Sequence, residues 1–402
     1  MKTDYDAIII GGGVAGATAA ILLAQAGWSV ALVEKQAFPR RKVCGECIAA
    51  GNLALLDALG VGDAFAGLAG PALRRVGLYV GDSLLCADLP RFNDPRHAWG
   101  RALGREHLDT LLVQRAAALG ASLWQPWAVR DISSRETGHA CHVVARDSGE
   151  SARLRAPILI AAHGSWEPGP AAGDRQRMPS RASDLFAFKA SFSGSECAPG
   201  LLPVLAFPGG YGGMVIADQA KLTLACCIRR DRLQDCRTRM PGASAGVAVQ
   251  AYLEETCLGV RQALRGARRE AKWMSVGPIR PGLRSPWREP GRFAAGNAAG
   301  EAHPILGEGI SMAIQSAWLL CELLIARREP LLAGRAQSLT GRDYASSWRK
   351  GFAPRIRTAA VFSHLAMRPG PAGVLLPLLR RWPLILTTGA RLGAKVRRVV
   401  EA

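Results

Sequence analysis

With 402 residues, 49% of them apolar, the chain has room for two domains and enough core-forming side chains to fill them, which excludes a disordered or fibrous protein. Its formal net charge is +19, and 15 Lys+Arg against 3 Asp+Glu fall between Arg327 and the C-terminus. No nucleic-acid binding module accompanies that charge, so no nucleic-acid partner is expected. Ten irregularly spaced cysteines, and no leader before the first apolar run, point to a reduced, cytoplasmic protein. The best candidate for a membrane span, 373–389, is broken by Arg380 and Arg381, so no transmembrane helix is expected. No metal-ligand cluster stands out, and no metal is expected.

The first element dominates the chain. Ala7 to Ile10 is a short apolar run that suits a fully buried strand. Gly11, Gly13 and Gly16 follow in G-x-G-x-x-G spacing, with Val14 and Ala15 inside the motif. Small residues continue into a helix that ends at Gly27. Gly11 permits the tight turn, Gly13 lets the backbone approach a pyrophosphate, and Gly16 lets helix and strand pack closely. The helix N-terminus offers free N–H groups and partial positive charge to the diphosphate. A second apolar run ends at Glu34, 18 residues past Gly16, placed to accept hydrogen bonds from a ribose diol. An acid there repels a 2′-phosphate, which leaves FAD or NAD rather than NADP.

After Glu34 and Lys35 comes a basic loop carrying Arg40, Arg41, Lys42, Cys44 and Cys47. The pattern then predicts a helix over 53–59, a strand or hairpin over 76–85, and a helix over 105–119 that Gly120 ends. Alternation predicts strands over 127–144, and 158–162 reads as another buried strand, ending at His163. Two or three strands are expected over 184–230 around a glycine-flanked turn, Gly209 to Gly213, with Tyr211 at its centre. A polar helix is expected over 245–264 and a strand from Arg292 into the Gly296–Gly300 turn. Pro304 to Ser311 leads into a long apolar helix, 312–326. The remainder reads as helical, basic and apolar by turns, with breaks at Pro369, Pro371 and Pro383.

Four stretches together resemble a known superfamily. Gly11 to Glu34 looks like an FAD fingerprint. Arg105-x-x-Leu-Asp109 resembles the Arg-x-x-(Leu/Phe)-Asp element of flavoprotein monooxygenases, and Ile158 to Gly164 resembles their strand ending in Asp-Gly. Gly296-Asn-Ala-Ala-Gly300 with Pro304-x-x-Gly-Glu-Gly-Ile310 resembles their Gly-Asp-Ala-Ala-Gly and Pro-x-x-Gly-x-Gly segment. Cys44-Gly45 after a basic loop is similar to the geranylgeranyl reductase branch, which also holds flavin halogenases and dehydrogenases of the electron-transfer flavoprotein type. Asn297 and His163 stand where that superfamily has Asp. The polyprenyl-reductase Tyr-x-Trp-x-Phe-Pro motif keeps only Phe207 and Pro208, and the tryptophan-halogenase signature is absent.

The resemblance implies an α/β chain: an FAD-binding Rossmann-like (glutathione-reductase type) domain with an inserted α+β antiparallel-sheet substrate domain and a helical C-terminus. The expected division is 1–75, 100–180 and 275–328 for FAD, 76–99 and 181–274 for substrate, and 329–402 as the basic, apolar C-terminal region. Besides the first motif, the implied cofactor contacts are Lys35, Arg41 (chosen from the three basic residues at 40–42), Arg105, Gly296 and Asn297. The segment Pro304, Gly307, Glu308, Gly309 and Ile310 is expected to form a backbone wall against one edge of the flavin, with Glu308 as an exposed acid. The helix start beyond it can stabilise negative charge on the reduced ring. Cys44, Tyr211 and Phe207 are the candidates for the substrate pocket.

The implied activity is an FAD-dependent monooxygenase, reduced transiently by NAD(P)H. It would hydroxylate or epoxidise an apolar aromatic, polyketide-like or lipid substrate through a flavin C4a-hydroperoxide, in secondary metabolism. A reductase or dehydrogenase of isoprenoid or lipid C=C bonds is the alternative. A halogenase, whose family needs a lysine poised in a tunnel, comes third. The basic C-terminal region leaves two partners open: the inner face of a membrane, or an electron-carrier protein.

Overall fold

The computed structural model describes residues 2–135, 138–164 and 179–368. The opening stretch forms β1 (Ala7–Ile10), α1 (Val14–Gln25) and β2 (Val30–Val33). Every residue of both strands is buried, as expected for a parallel sheet covered on both faces. Gly11 adopts φ +107°, and a Cβ on Gly16 would stand 1.9 Å from the Gly11 carbonyl oxygen, so neither position tolerates a side chain. The basic loop follows and carries β3 (Cys47–Ile48). Two short helices, α2 (Leu53–Ala58) and α3 (Gly62–Leu68), lead to a hairpin of β4 (Arg75–Val80) and β5 (Ser83–Asp88). Strand β6 (Arg101–Ala102) returns to pair with β3 before α4 (Arg105–Ala118). Strand β7 (Ser122–Trp124) is followed by an antiparallel meander of β8 (Trp127–Arg135), β9 (Gly138–Ala145) and β10 (Ser151–Ala156), then by β11 (Ile158–Ala161).

The second half opens with β12 (Leu185–Ser193), β13 (Leu201–Phe207), β14 (Gly210–Ile216) and β15 (Leu222–Arg229). Helices α5 (Arg230–Arg239), α6 (Ala245–Thr256) and α7 (Leu258–Ala263) come next. The strands β16 (Arg268–Arg269), β17 (Met274–Ile279), β18 (Gly282–Leu283), β19 (Trp287–Glu289), β20 (Arg292–Ala294) and β21 (Gly300–Glu301) lead into three closing helices. These are α8 (Gly309–Ala326), α9 (Arg328–Leu332) and α10 (Gln337–Ala366).

Two sheets organise these elements. The first runs β19-β20-β11-β1-β2-β7, parallel except at the β19 edge, with α1 packed between α4 and α8. The second runs β16-β12-β15-β14-β13-β4-β5, antiparallel except where β13 pairs β4, and β17 adds to β12. Helix α8 is apolar and long enough to span a bilayer, but 61% of it is buried inside the protein, so it serves as a core helix.

The second sheet has two unlike faces, because side chains alternate along a strand. Phe188, Leu205, Phe207, Met214, Leu224 and Ile228 pack beneath α6 and α7 against Tyr252, Leu253 and Val260. Leu185, Ala187, Tyr211, Cys227 and Ile279 point the other way, toward Val43, Ile305, Ala366 and Met367.

Several expectations change here. Residues 184–230 hold four strands, and the glycine-flanked stretch at Tyr211 is a strand in the sheet's interior rather than a turn. The small residues Gly210, Gly212 and Gly213 let neighbouring chains approach: a Cβ on Gly212 would lie 2.6 Å from the Ala225 carbonyl oxygen. The helix expected over 245–264 is broken at Cys257, which takes extended dihedrals (φ −142°, ψ 106°). Helix α5, whose sequence Arg-Asp-Arg-Leu-Gln-Asp-Cys-Arg-Thr-Arg shows little apolar periodicity, went unrecognised. Helix α10 runs through Pro354 for 30 residues. The breaks at Pro369, Pro371 and Pro383, and the apolar stretch 373–389, lie outside the described residues.

Candidate functional site

The first part of the site is built where β1, β2 and α4 meet. The Gly12 N–H donates to Glu34 Oε2 at 2.8 Å, and the Gln36 N–H to Oε1 at 2.9 Å, so buried Glu34 is held by backbone on both oxygens. Each oxygen keeps a lone pair for a further donor. Arg105 grips Asp109 across one helical turn, Nε to Oδ1 at 2.7 Å and Nη2 to Oδ2 at 2.8 Å. Burial pulls its guanidinium pKa down, but Asp109 and Cys44 together outweigh burial and raise it overall. Arg40 Nη2 lies 3.6 Å from Glu34 and 3.4 Å from Asp109. A Cβ on Gly13 would meet the guanidiniums of Arg105 and Arg40 at 3.7 and 3.8 Å. Gly13 is therefore the floor of a pocket with two arginines on its rim.

Arg41 was the residue expected there. Its side chain is 50% exposed and pairs with Glu106 at 3.3 Å, whereas that of Arg40 is 12% exposed and faces the motif. Of the two, Arg40 is the one turned toward the motif, an orientation that spacing along the loop does not reveal. Lys35 is half-buried beside the motif strand, and its carbonyl accepts from Arg146 at 3.4 Å. Desolvation, then the charges of Arg105 and Arg40, push the Lys42 ammonium down to about 8.

The second part is the segment from Gly296 to Ile310. Gly296 donates its N–H to Ser316 Oγ at 2.7 Å, and a Cβ on it would press on Ala15 at 2.9 Å, which ties this turn to the start of α1 beside Val14. Asn297 donates Nδ2 to Glu301 Oε1 at 3.0 Å, and Arg284 caps its carbonyl at 2.9 Å. Pro304 opens a 3₁₀ turn, Gly307 closes it in the left-handed conformation, and Gly309 begins α8 with open space around its Cα. Ile310 anchors the helix in the core.

Glu308 is not the exposed acid that its glycine neighbours implied. It is 6% exposed and accepts from Arg355 Nε of α10 at 2.7 Å through Oε2. Arg355 Nη1 reaches Gln315 Oε1 at 2.7 Å, and Gln315 Nε2 reaches Asn52 Oδ1 at 2.7 Å. Burial raises the Glu308 carboxyl pKa, against the pull of Arg355. A helix from the far end of the chain covers this acid, which local spacing could not show.

The third part faces the second sheet. Cys44 is half-buried, and its Sγ accepts from the Glu46 N–H at 3.4 Å. Burial, then the neighbouring Cys44 and Glu46, raise the Cys47 thiol pKa. Glu46 was missed by sequence reasoning. Buried at φ +63°, it pairs with buried Lys189 of β12 through Oε1 and accepts from Thr223 Oγ1 of β15 at 2.7 Å through Oε2. The Arg105 N–H also reaches its Oε1, at 3.2 Å. One carboxylate thus joins the basic loop, α4 and the second sheet. Only the odd-numbered placement of Lys189 with Leu185 and Ala187, and of Thr223 with Cys227, could have hinted at this shared face.

Tyr211 is 1% exposed, and its hydroxyl lies 3.0 Å from His303 Nδ1, next to Pro304. Phe207 does not join it. It lies on the opposite face, edge-on to Tyr252 at 6.1 Å, because strand alternation sends it to the α6 side. His163 stands at the end of β11 with its Cα 2.9 Å from where a Cβ on Gly11 would be, so this position serves backbone packing.

Residues 4–340 match the FAD binding domain family. The chain belongs to that family. The menaquinone reductase of Mycolicibacterium smegmatis is 30% identical over 147 residues, 37% of this chain and 35% of that protein. The tryptophan 2-halogenase of Chondromyces crocatus is 24% identical over 352 residues, 84% of this chain and 63% of that protein. The chain thus spans between 35% and 63% of the length of these two curated relatives. Among solved structures, the flavin-dependent brominase Bmp2 superposes with a TM-score of 0.78 at 18% identity, over 98% of this chain and 94% of that one. This likeness is one of fold.

The residues present fit FAD. Three of the buried polar atoms without a protein partner lie at this site: Arg40 Nε at the motif, and Glu308 Oε1 and Ser311 Oγ at the start of α8. A buried polar atom left unpaired costs about 1–3 kcal/mol, so each favours a ligand that completes it.

Proposed function

We propose that this FAD-binding protein is a monooxygenase that hydroxylates or epoxidises an apolar aromatic, polyketide-like or lipid substrate, with NAD(P)H as the transient reductant. The observation that carries the reading is the apolar face of the second sheet meeting the wall segment: Leu185, Ala187 and Ile279 converge on Ile305 and Val43. FAD, when bound, supplies the activation of oxygen. The chain's residues hold and orient. Gly11, Gly13 and Gly16, with the N-terminus of α1, receive the diphosphate; Arg40 and Arg105 neutralise it; Glu34 accepts from the ribose. Gly307 turns the chain with its N–H bonded back to the Pro304 carbonyl at 2.9 Å, and Gly309, opening α8, presents its main-chain N–H to the ring edge. The apolar face excludes water from the reacting centre.

A second reading, reduction of an isoprenoid or lipid C=C bond with electrons from a carrier protein on the basic C-terminal region, draws on the likeness to the menaquinone reductase. Halogenation is less well supported: buried Lys189 is locked onto Glu46 rather than poised in a tunnel.

Purified protein tests these readings. A yellow protein whose flavin bleaches anaerobically with NADPH, and which consumes O2 in step with a hydroxylated or epoxidised product, supports the first. Bleaching only with a carrier protein, without O2 uptake, replaces it with the second. A colourless protein that cannot be reconstituted with FAD removes both.

A further inference from the structure

The inner face of the second sheet carries one polar cluster that the proposed reaction does not yet use. Tyr211 on β14 and Cys227 on β15 are cross-strand partners, and both are buried. The Tyr211 hydroxyl also lies 3.0 Å from Nδ1 of half-buried His303. His364, from the last turns of α10, stands 6.4 Å from His303, ring centre to ring centre. The surroundings are otherwise apolar: Ile305, Val276, Ala366 and Met367 pack on the same cluster. Among the described residues, His303 Nε2 has no hydrogen-bond partner.

The bonding order within the cluster follows from donor and acceptor strength. Tyr211 owns a single proton and has two neighbours that could take it. Imidazole nitrogen is a strong acceptor and thiol sulfur a weak one, so the hydroxyl donates to Nδ1. Desolvation, and then the ring of His364, push the His303 imidazole down to about 4, so it is neutral over the working pH range. Burial raises the Tyr211 phenol, and raises the Cys227 thiol against the opposing pull of Tyr211; Glu301 reinforces both rises. Tyr211, Cys227 and His303 therefore keep their protons in place near neutrality. A neutral imidazole that accepts at Nδ1 carries its proton on Nε2.

We propose that His303 Nε2–H is the donor that anchors a carbonyl oxygen of an apolar substrate beside the flavin wall, with Tyr211 as the positioning residue that fixes the tautomer. Ketone, quinone and ester oxygens are the class selected. Three features support it: His303 adjoins Pro304, its free nitrogen lies in an apolar environment, and the two-membered chain behind it leaves Nε2 one role. The proposal rests on the reading of this face as the substrate side, but not on which reaction FAD performs there.

The test uses holoenzyme and two probes of equal shape: 4-pentylacetophenone, and its isostere in which C=CH2 replaces C=O. Binding is read from the perturbation of the bound flavin's visible spectrum. The ketone is expected to bind about tenfold more tightly, the size of one hydrogen-bond partner left unmade. This preference should stay level from pH 6 to 9. His303→Phe should abolish it, and His303→Gln, whose amide can place an N–H near the Nε2 position, should restore part of it. Tyr211→Phe should weaken the preference while retaining the isostere's affinity. Flavin stoichiometry and melting temperature establish that each variant is folded. Equal binding of both probes to wild-type, failure of both to bind, or a preference that survives in His303→Phe overturns the proposal. O2 uptake is measured separately. A holoenzyme that selects the ketone but consumes no O2 removes the monooxygenase reading and leaves the anchor standing.

Discussion

The two ends of the site are built differently. At the adenosine end, Gly11, Gly13, Gly16 and Glu34 come from one stretch of 24 residues, and backbone hydrogen bonds do the positioning. At the substrate end, Val43, Glu46, Lys189, Tyr211, Thr223, His303 and Arg355 come from segments spread over three quarters of the chain. The first end depends on local geometry and, at Gly11 and Gly16, tolerates no added atom. The second depends on pairs of side chains that meet only after two sheets and α10 have docked. Substitutions at the first end should therefore act sterically, and those at the second by leaving a partner unpaired.

The largest effect is expected at the joint between the two ends. Lys189→Ala leaves the Glu46 carboxylate buried without its cation, which costs about 3–5 kcal/mol of stability. Adding Glu46→Gln should recover most of the loss, read by urea unfolding of the single and double variants. A Lys189→Ala protein as stable as wild-type would show that the pair contributes no joint at all.

Gly16→Ala comes next. With 1.9 Å available to the new Cβ, helix and strand must separate, at about 1–3 kcal/mol for the strain alone. Flavin content should fall with it. A variant that purifies yellow with unchanged melting temperature contradicts the close packing.

The arginines give a smaller and more discriminating pair. Arg40→Met should weaken FAD binding by about 1.5–3 kcal/mol, the scale of a charged hydrogen bond. Arg41→Met should change it by no more than about 0.5 kcal/mol, since its exposed contact is with Glu106. Fluorescence titration of apoprotein with FAD measures both, and the reverse order would restore Arg41 as the phosphate residue.

The smallest effect is a pH dependence. The Lys42 pKa is depressed to about 8 in the free protein, and a bound diphosphate raises it. FAD affinity should then be full below pH 8 and decline as pH rises from there toward the bound-state pKa. Stability of the apoprotein moves the opposite way. Between pH 8 and the unfolded lysine value the unfolded chain holds the extra proton, so stability rises. Lys42→Met should flatten both profiles; an affinity that stays level through pH 10 in wild-type removes Lys42 from the phosphate site.

Gly11 to Glu34 was legible because a turn, a close approach and a helix N-terminus are local demands that particular residues meet at fixed spacing. Helix α4 with Arg105, and the wall segment from Pro304 to Ile310, were legible for the same reason. Tyr211 was half legible: its aromatic ring among glycines marked it for the pocket, but as a turn residue rather than a buried strand position. Phe207 failed as its companion because one step of strand register decides the face, and spacing alone did not reveal the strand's ends.

The sequence by itself determined an FAD-binding fold, since the glycine motif, its helix and the acid-ending strand all fall within one or two elements. Tertiary structure alone decided that Arg40 rather than Arg41 faces the motif, that Glu308 lies under Arg355, and that Glu46 meets Lys189 and Thr223. Burial and pairing are properties of the docked elements: Glu308 and Arg355 are 47 positions apart, Glu46 and Lys189 143, and Glu46 and Thr223 177.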